Sequence, residues 1–179
     1  KQFTAAAILK LQEEGKLSIT NTLSKFIPDF PRGNEVTLIH LLTHTSGIHS
    51  YTGKPGFLDH VTNTVQTLDL IESFKNDPYD FNPGKKWLYN NSGYFLLGYI
   101  IEKVSGESYG DFLKENIFDP LGMKDTAHDG KAGAIVKNRA SGYAPVGARD
   151  LENAPWIDWT IKTGNGSLYS TVEDLYKWD

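Results

Sequence analysis

Tyr89, Asn90 and Asn91 place a phenol and two amides in a loop, between a short hydrophobic stretch and a helical pattern. Residues two apart in an extended loop point the same way, so Tyr89 and Asn91 can project together into a cleft. A phenol there can move a proton, and an amide beside it can hydrogen-bond a substrate. The alternative is a tyrosine packed on the core, with an asparagine that caps the helix from Ser92.

His40 and His44 form a second candidate pair, because zinc sites use histidines four residues apart on one helix. The residues between them are Leu41, Leu42 and Thr43, with no glutamate and no evident third ligand. We therefore expect no metal here. A histidine that is hydrogen-bonded within a turn is the interpretation that we favour.

Other reactive or aromatic side chains give weaker signals. The absence of cysteine excludes disulfides, thiolate metal sites and a cysteine nucleophile. Ser46 is not surrounded by the Gly-x-Ser-x-Gly sequence of a nucleophile elbow, so we expect a structural serine in a turn. Aromatic residues of the loop-rich segment could line a ligand cleft, but we favour a small satellite core for them: Tyr143, Trp156, Trp159 and Tyr169.

The composition is that of a globular protein. The chain has 179 residues, of which 39% are hydrophobic and 22% charged, so it can bury one sizeable core. Its formal net charge of −4 provides no basic field for a phosphate backbone, so nucleic acid is not an expected partner. The most apolar stretch, from Tyr94 to Ile101, stops at Glu102 and is too short to span a membrane.

The elements that position these residues are predicted to be mainly helical, with a few short strands, in a single domain over residues 1–179. Helical patterns cover residues 2–14, 38–43, 67–75, 92–105 and 108–116. Small side chains from Thr4 to Leu9 predict a central first helix, and the segment from Ala127 to Asn165 is irregular or forms short strands. Neither terminal helix has a capping residue at the chain end, so we expect a chain cut inside a helix at both ends.

Five strings in order along the chain resemble the serine β-lactamase and penicillin-binding protein family. The closest resemblance is to its class C-like branch, which includes D-alanyl-D-alanine carboxypeptidases, D-aminopeptidases and serine esterases. The strings are KQFTAAAILKLQEEGKL at 1–17, LLTHTSGI at 41–48, YNNSGY at 89–94, IFDPLGM at 117–123 and GSLYSTVEDL at 166–175. The resemblance implies the helical portion of the β-lactamase/transpeptidase-like fold, whose α/β sheet domain lies mostly outside this chain.

The resemblance also implies a role for three residues. In the family's Ser-x-x-Lys motif a lysine lies one helical turn after the nucleophilic serine; here the lysine is Lys1, and the serine would precede residue 1. A lysine amine accepts a proton only when it is neutral, which burial favours, and the alternative is an exposed terminal lysine. Tyr89 matches the acid/base of the family's Tyr-x-Asn motif, and Asn91 matches its substrate-binding asparagine.

The string from Lys162 to Gly164 has the letters of the family's third motif, Lys-Thr-Gly, which lies on a strand edge along the cleft. We reject that assignment because the string runs directly into residues 166–175, which the family places before a helix and well ahead of that strand. The third motif and both oxyanion-hole amides are therefore expected outside this chain.

The function implied by the resemblance is that of a serine hydrolase with an acyl-enzyme intermediate and no metal or organic cofactor. Its substrate would be a β-lactam, a D-Ala-D-Ala or other D-amino-acid peptide, or an ester, and its other partner is the rest of its own α/β domain. The chain alone, without the nucleophile, is expected to be inactive. The resemblance implies a bacterial protein that is periplasmic, secreted or membrane-anchored outside the covered residues, while composition leaves the compartment open. The alternative is a non-catalytic helical module that binds a peptide or protein.

Overall fold

The computed structural model describes residues 1–130, 134–147 and 149–179. Its helices are α1 (Gln2–Glu13), α2 (Leu38–Leu42), α3 (Thr67–Lys75), α4 (Asn91–Ser105), α5 (Tyr109–Leu113), α6 (Asp119–Leu121) and α7 (Val172–Trp178). Its strands are β1 (Ala127–His128), β2 (Tyr143–Val146), β3 (Asp150–Asn153) and β4 (Leu168–Tyr169), paired antiparallel as β1 with β4 and β2 with β3. The predicted fold class, mainly α with a few short strands, is confirmed.

The central helix of the described residues is α4. Its apolar run, 94–101, is buried on nearly every face, with fully covered side chains at Phe95, Leu96, Leu97, Ile100 and Ile101. The side chain of Asn90 caps this helix by accepting a hydrogen bond from Gly93 N at 2.6 Å, and Gly106 ends it at a φ of 80°. Neither α4 nor any other helix of the described residues is long and apolar enough to cross a membrane.

The first helix, α1, packs on α4 with one face, so within the described residues it is not surrounded by other helices as the sequence predicted. Leu9 is 44% exposed on the opposite side within the described chain. Small side chains let a neighbour approach closely, but they do not determine how many neighbours a helix has. The buried face of α1 consists of Phe3, Thr4, Ala7, Ile8 and Leu11.

Helix ends follow the local capping signals. The prediction over 67–75 matches α3 residue for residue. Ser108 caps α5, its Oγ accepting a hydrogen bond from Asp111 N at 3.2 Å. The α-helix predicted to reach Asn116 ends three residues earlier, and one π-helical turn (Lys114–Phe118) then joins α5 to α6.

The β2–β3 hairpin stands apart from the core. Its two strands pair only with each other in the described sheet. Tyr143 is 62% exposed and Trp156 is 54% exposed, so the predicted satellite core is wrong for these two residues. Trp159 and Tyr169 are partly buried.

A turn of four residues, Thr163 to Gly166, is anchored on α4 and α1. We call it the 163–166 turn. A Cβ added to Gly98 in the middle of α4 would lie 3.1 Å from the Cα of Gly164, so the two backbones touch there. Thr4 Oγ1 donates to the O of Gly164 at 2.7 Å. This donation uses the single hydroxyl hydrogen of Thr4, so the Tyr109 hydroxyl donates to Thr4 Oγ1 at 2.7 Å.

Candidate active site

The structure brings Lys1, Tyr89 and Asn91 together. Lys1 Nζ donates to Asn91 Oδ1 at 2.9 Å and to the backbone O of Asn165 at 2.7 Å. The same nitrogen lies 4.8 Å from the centroid of the Tyr89 ring and 5.2 Å from that of Tyr94. The Lys1 side chain is therefore partly buried and makes two hydrogen bonds. It is not the exposed terminal lysine of the alternative interpretation.

Two acceptor oxygens orient the amine of Lys1. An ammonium group has three N–H donors, whereas a neutral amine has two N–H donors and a lone pair. When the two hydrogens of the neutral amine point at Asn91 Oδ1 and Asn165 O, the lone pair must point in a third direction. A proton can be accepted from a group that lies in that direction.

Tyr89 projects from the loop before α4 and does not pack on the core. Its side chain is 51% exposed. Its ring contacts the Lys1 amine and also the imidazole of His44, with the two ring centroids 4.8 Å apart. Within the described residues no hydrogen bond reaches the Tyr89 hydroxyl, so that group is available to a ligand.

The two asparagines that follow Tyr89 have different tasks. Asn90 caps α4, as the structural interpretation of this loop required. Asn91 is the first residue of that helix, and its amide joins Lys1 to a 3-10 helix (Tyr51–Gly53), since Asn91 Nδ2 donates to Thr52 Oγ1 at 2.9 Å. Asn91 N also donates to Ser50 Oγ at 3.3 Å. The capping interpretation is therefore correct for Asn90, whereas the substrate-binding role of Asn91 stays a prediction.

His44 holds the loop that carries Tyr89. Its backbone O accepts a hydrogen bond from Leu88 N at 3.0 Å, and its Nδ1 accepts one from Asn90 N at 3.2 Å. Burial, and secondly the positive charge of Lys1, lower the pKa of His44, so the ring stays neutral and Nδ1 can accept. The prediction of a histidine hydrogen-bonded within its own turn is wrong for His44, because its imidazole bonds to a backbone N–H 46 residues away. Its effect on Tyr89 was not predicted.

His40 makes a local hydrogen bond. Its Nδ1 accepts from Thr37 N at 3.2 Å, which completes the capping box of α2. Across residues 1–130, 134–147 and 149–179 no group of three metal-ligating side chains comes together. Ser46 is buried, and its Oγ accepts from Ile48 N at 3.3 Å, as expected for a serine in a structural turn.

Lys162 does not belong to the group formed by Lys1, Tyr89 and Asn91. Its Nζ lies 5.4 Å from the centroid of the Trp159 ring. No hydrogen bond among the described residues joins its side chain to Lys1, Tyr89 or Asn91. The string 162–164 ends a 3-10 helix and enters the 163–166 turn, whereas the family's third motif lies on a strand edge.

Asn165 is a site residue that the sequence analysis missed. Its backbone O accepts from Lys1, and its Nδ2 donates to Tyr51 Oη at 2.7 Å and to the backbone O of Asn91 at 3.2 Å. The available signal was an asparagine between two glycines, a sequence that allows a tight turn and close backbone approach.

Tyr51 connects the site to a cavity of about 290 Å³. The hydroxyl of Tyr51 donates to the backbone O of Ile161 and accepts from Asn165. Burial raises the pKa of Tyr51, so this hydroxyl keeps its proton at any ordinary pH. The walls of the cavity are mainly apolar and include Tyr51, Phe57, Val65, Leu70 and Ile161.

Comparisons with known proteins give a consistent set of relatives. The family model described as Beta-lactamase matches residues 1–179. The Bacillus subtilis (strain 168) protein PbpX, which is named as a penicillin-binding protein, is 37% identical over 182 residues that cover all of this chain and 43% of the relative.

Two solved structures show how far the fold agrees. A D-stereospecific amidohydrolase from Streptomyces sp. superimposes with a TM-score of 0.88 at 31% identity, covering 99% of this chain and 56% of that one. The D-amino acid amidase from Ochrobactrum anthropi SV3, complexed with L-phenylalanine amide, gives a TM-score of 0.86 at 25% identity and covers 98% and 51%. The chain thus spans about half the length of these relatives.

Proposed function

Since the chain belongs to the beta-lactamase family, we propose that a longer protein containing it is a serine hydrolase that works through an acyl-enzyme. The observation that carries this proposal is the Lys1 amine, bonded at 2.9 Å to Asn91 Oδ1 and packed on the ring of Tyr89. Residues 1–179 would form one helical domain beside an α/β sheet domain, because relatives of the same fold are about twice as long.

In the proposed mechanism, a serine one helical turn before Lys1 attacks the carbonyl carbon of the substrate. The serine hydroxyl proton passes to the lone pair of the Lys1 amine, whose other two positions are taken by oxygens. The Tyr89 hydroxyl delivers a proton to the leaving group, and the Asn91 amide hydrogen-bonds the acyl part of the substrate. Water then attacks the acyl-enzyme and gives one proton to the Tyr89 phenolate, the ammonium of Lys1 returns its proton to the serine oxygen, and the acid leaves.

The substrate class that we propose to test first is a D-amino-acid amide. The names of two structural relatives, a D-stereospecific amidohydrolase and a D-amino acid amidase, support this choice. β-Lactams and short esters are acyl donors that the same mechanism would accept, since each offers an activated carbonyl to the serine. A penicillin is also a useful probe, because slow deacylation would leave a covalent label.

The experiment compares Lys1→Ala with Lys162→Ala in the longer protein. Both variants remove a lysine, but only Lys1 contacts Asn91 and Tyr89. We expect Lys1→Ala to lose nearly all acylation by a labelled penicillin and by a D-amino-acid p-nitroanilide. Lys162→Ala should change the acylation rate by less than about tenfold, equivalent to roughly 1.4 kcal/mol in the barrier.

Three results would contradict the proposal. If Lys1→Ala acylates at the wild-type rate, Lys1 is not the base, and if Lys162→Ala alone abolishes acylation, the assignment of the third motif must be reversed. If the wild-type protein is acylated by neither donor, the alternative of a non-catalytic binding module with this fold gains support.

A further inference from the structure

We infer that Tyr51 and the side chain of Asn165 form a positioning pair, which holds the two oxygens that orient the Lys1 amine. The pair acts through the amine and does not contact the reacting atoms. The inference rests on the proposed function, because it takes Lys1 to be the proton acceptor. In this inference the buried Tyr51 and the turn residue Asn165 determine where the lone pair of the Lys1 amine points.

The two oxygens lie on separate elements and need a link between them. Asn91 Oδ1 belongs to the first residue of α4, and Asn165 O belongs to the 163–166 turn. The Asn165 side chain provides a direct connection, because its Nδ2 donates to the backbone O of Asn91 at 3.2 Å. One residue therefore supplies an acceptor for Lys1 and also bonds the residue that supplies the other acceptor.

The peptide plane of Asn165 is already fixed by the turn. Gly166 N donates to Lys162 O at 2.9 Å, and in a trans peptide the carbonyl points away from the N–H of the same plane. Asn165 O is therefore turned away from Lys162 and towards Lys1. The side chain of Asn165 sets where this plane stands relative to α4.

Tyr51 and the backbone O of Asn91 together determine which way the Asn165 amide faces. The backbone O of Asn91 can only accept a hydrogen bond, and the Tyr51 hydroxyl has already given its hydrogen to Ile161 O. Both partners thus require the NH₂ end of the amide. A flipped amide would place Asn165 Oδ1, which is itself an acceptor, against these two acceptor oxygens. The Tyr51 hydroxyl thus adds a second acceptor that favours the observed orientation.

Burial and aromatic packing keep the pair rigid. Tyr51 is 2% exposed and Asn165 is 7% exposed. The Tyr51 ring is stacked on Phe74 with centroids 5.6 Å apart and meets Phe95 edge-on at 5.9 Å. Phenylalanine at position 51 would keep these ring contacts, so Tyr51→Phe removes the hydroxyl with little loss of packing.

The test is a double-mutant cycle of Tyr51→Phe and Asn165→Ala in the longer protein, assayed with a D-amino-acid p-nitroanilide. We expect each single variant to lower kcat by about tenfold or more while KM changes less than about twofold. The double variant should be no slower than Asn165→Ala alone, because the tyrosine acts only through the asparagine.

Tyr79→Phe is the matched control. Tyr79 is a partly buried tyrosine whose hydroxyl donates to a backbone carbonyl, Pro31 O, at 2.8 Å, and it has no contact with Lys1 or Asn165. Thermal unfolding of all variants shows whether Tyr79→Phe and Tyr51→Phe lower the stability by similar amounts. We expect Tyr79→Phe to keep the wild-type kcat.

The outcomes separate the two proposals. An active wild-type protein in which Tyr51→Phe and Asn165→Ala keep their kcat would refute the positioning pair and leave the proposed function standing. A loss of kcat that Tyr79→Phe shows equally, or that adds fully in the double variant, would also refute it, because the effect would then be one of general stability. A wild-type protein that acylates with no donor would refute the proposed function, and the positioning role with it.

Discussion

Gly164→Ala tests the backbone contact between the 163–166 turn and α4. A Cβ on Gly164 would overlap the backbone O of Tyr94, and the residue also has a left-handed backbone with a φ of 77°. Gly15 provides the comparison, because its φ is 71° but nothing lies within 4 Å of an added Cβ. The two substitutions therefore share the backbone strain and differ only in the overlap.

The expected losses follow from these two contributions. A left-handed backbone costs an L residue about 1–2 kcal/mol, which is the whole effect expected for Gly15→Ala. Forcing one carbon into a packed site costs about 1–3 kcal/mol more. We therefore expect Gly164→Ala to lower the free energy of unfolding by about 2–5 kcal/mol in total.

Urea unfolding followed by circular dichroism measures both losses. The midpoint of the transition should fall while its slope stays constant, since the surface exposed on unfolding hardly changes. For a domain of this size each kcal/mol corresponds to about 2–4 °C in Tm, so thermal scans provide a second estimate. Equal losses for Gly164→Ala and Gly15→Ala would refute the close contact between the turn and α4.

Two further predictions concern single side chains. Tyr89→Phe keeps the ring beside Lys1 and removes the hydroxyl, so kcat of the longer protein should fall by about 100-fold or more, whereas Tyr143→Phe on the exposed hairpin should leave it unchanged. Near wild-type turnover of Tyr89→Phe would remove this residue from the mechanism. Burial lowers the pKa of His128 from 6.5 to about 4, so below pH 6.5 the unfolded chain binds a proton that the folded chain does not, and stability falls as pH decreases. Urea unfolding at about pH 7 and pH 4.5 should show a loss that is about 2–3 kcal/mol larger in the wild type than in His128→Gln; equal losses would mean that the imidazole is not buried.

The parts of the fold that sequence predicts well are those with local causes. The apolar spacing of Leu70, Ile71 and Phe74 defines α3, and the side chains of Ser108 and Thr171 start α5 and α7 as capping residues do. The central position of α4 was missed because centrality depends on which elements surround a helix. That property is decided by contacts between residues far apart in the chain.

The candidate site divides in the same way. Tyr89 and Asn91 lie two residues apart, so one short string contains both, and the resemblance adds Lys1. Asn165 was missed because its partners, Tyr51 and Asn91, lie 114 and 74 residues away and no periodic pattern connects them. Hydrogen bonds between distant loops depend on the fold already being assembled, and composition does not reveal them.

The contact between Gly98 and Gly164 has a consequence for how this protein can diversify. In a library of random variants that retain a folded protein, we expect Gly15 and Gly106 to accept substitutions more often than Gly98 and Gly164 do. An added Cβ at Gly15 or Gly106 meets nothing within 4 Å. Neither member of the contacting pair can change without displacing the turn that presents Asn165 O. Conservation of the site during evolution therefore depends on Gly98 and Gly164, which are not part of the proposed substrate contacts. A larger residue at either position requires a different conformation of the 163–166 turn.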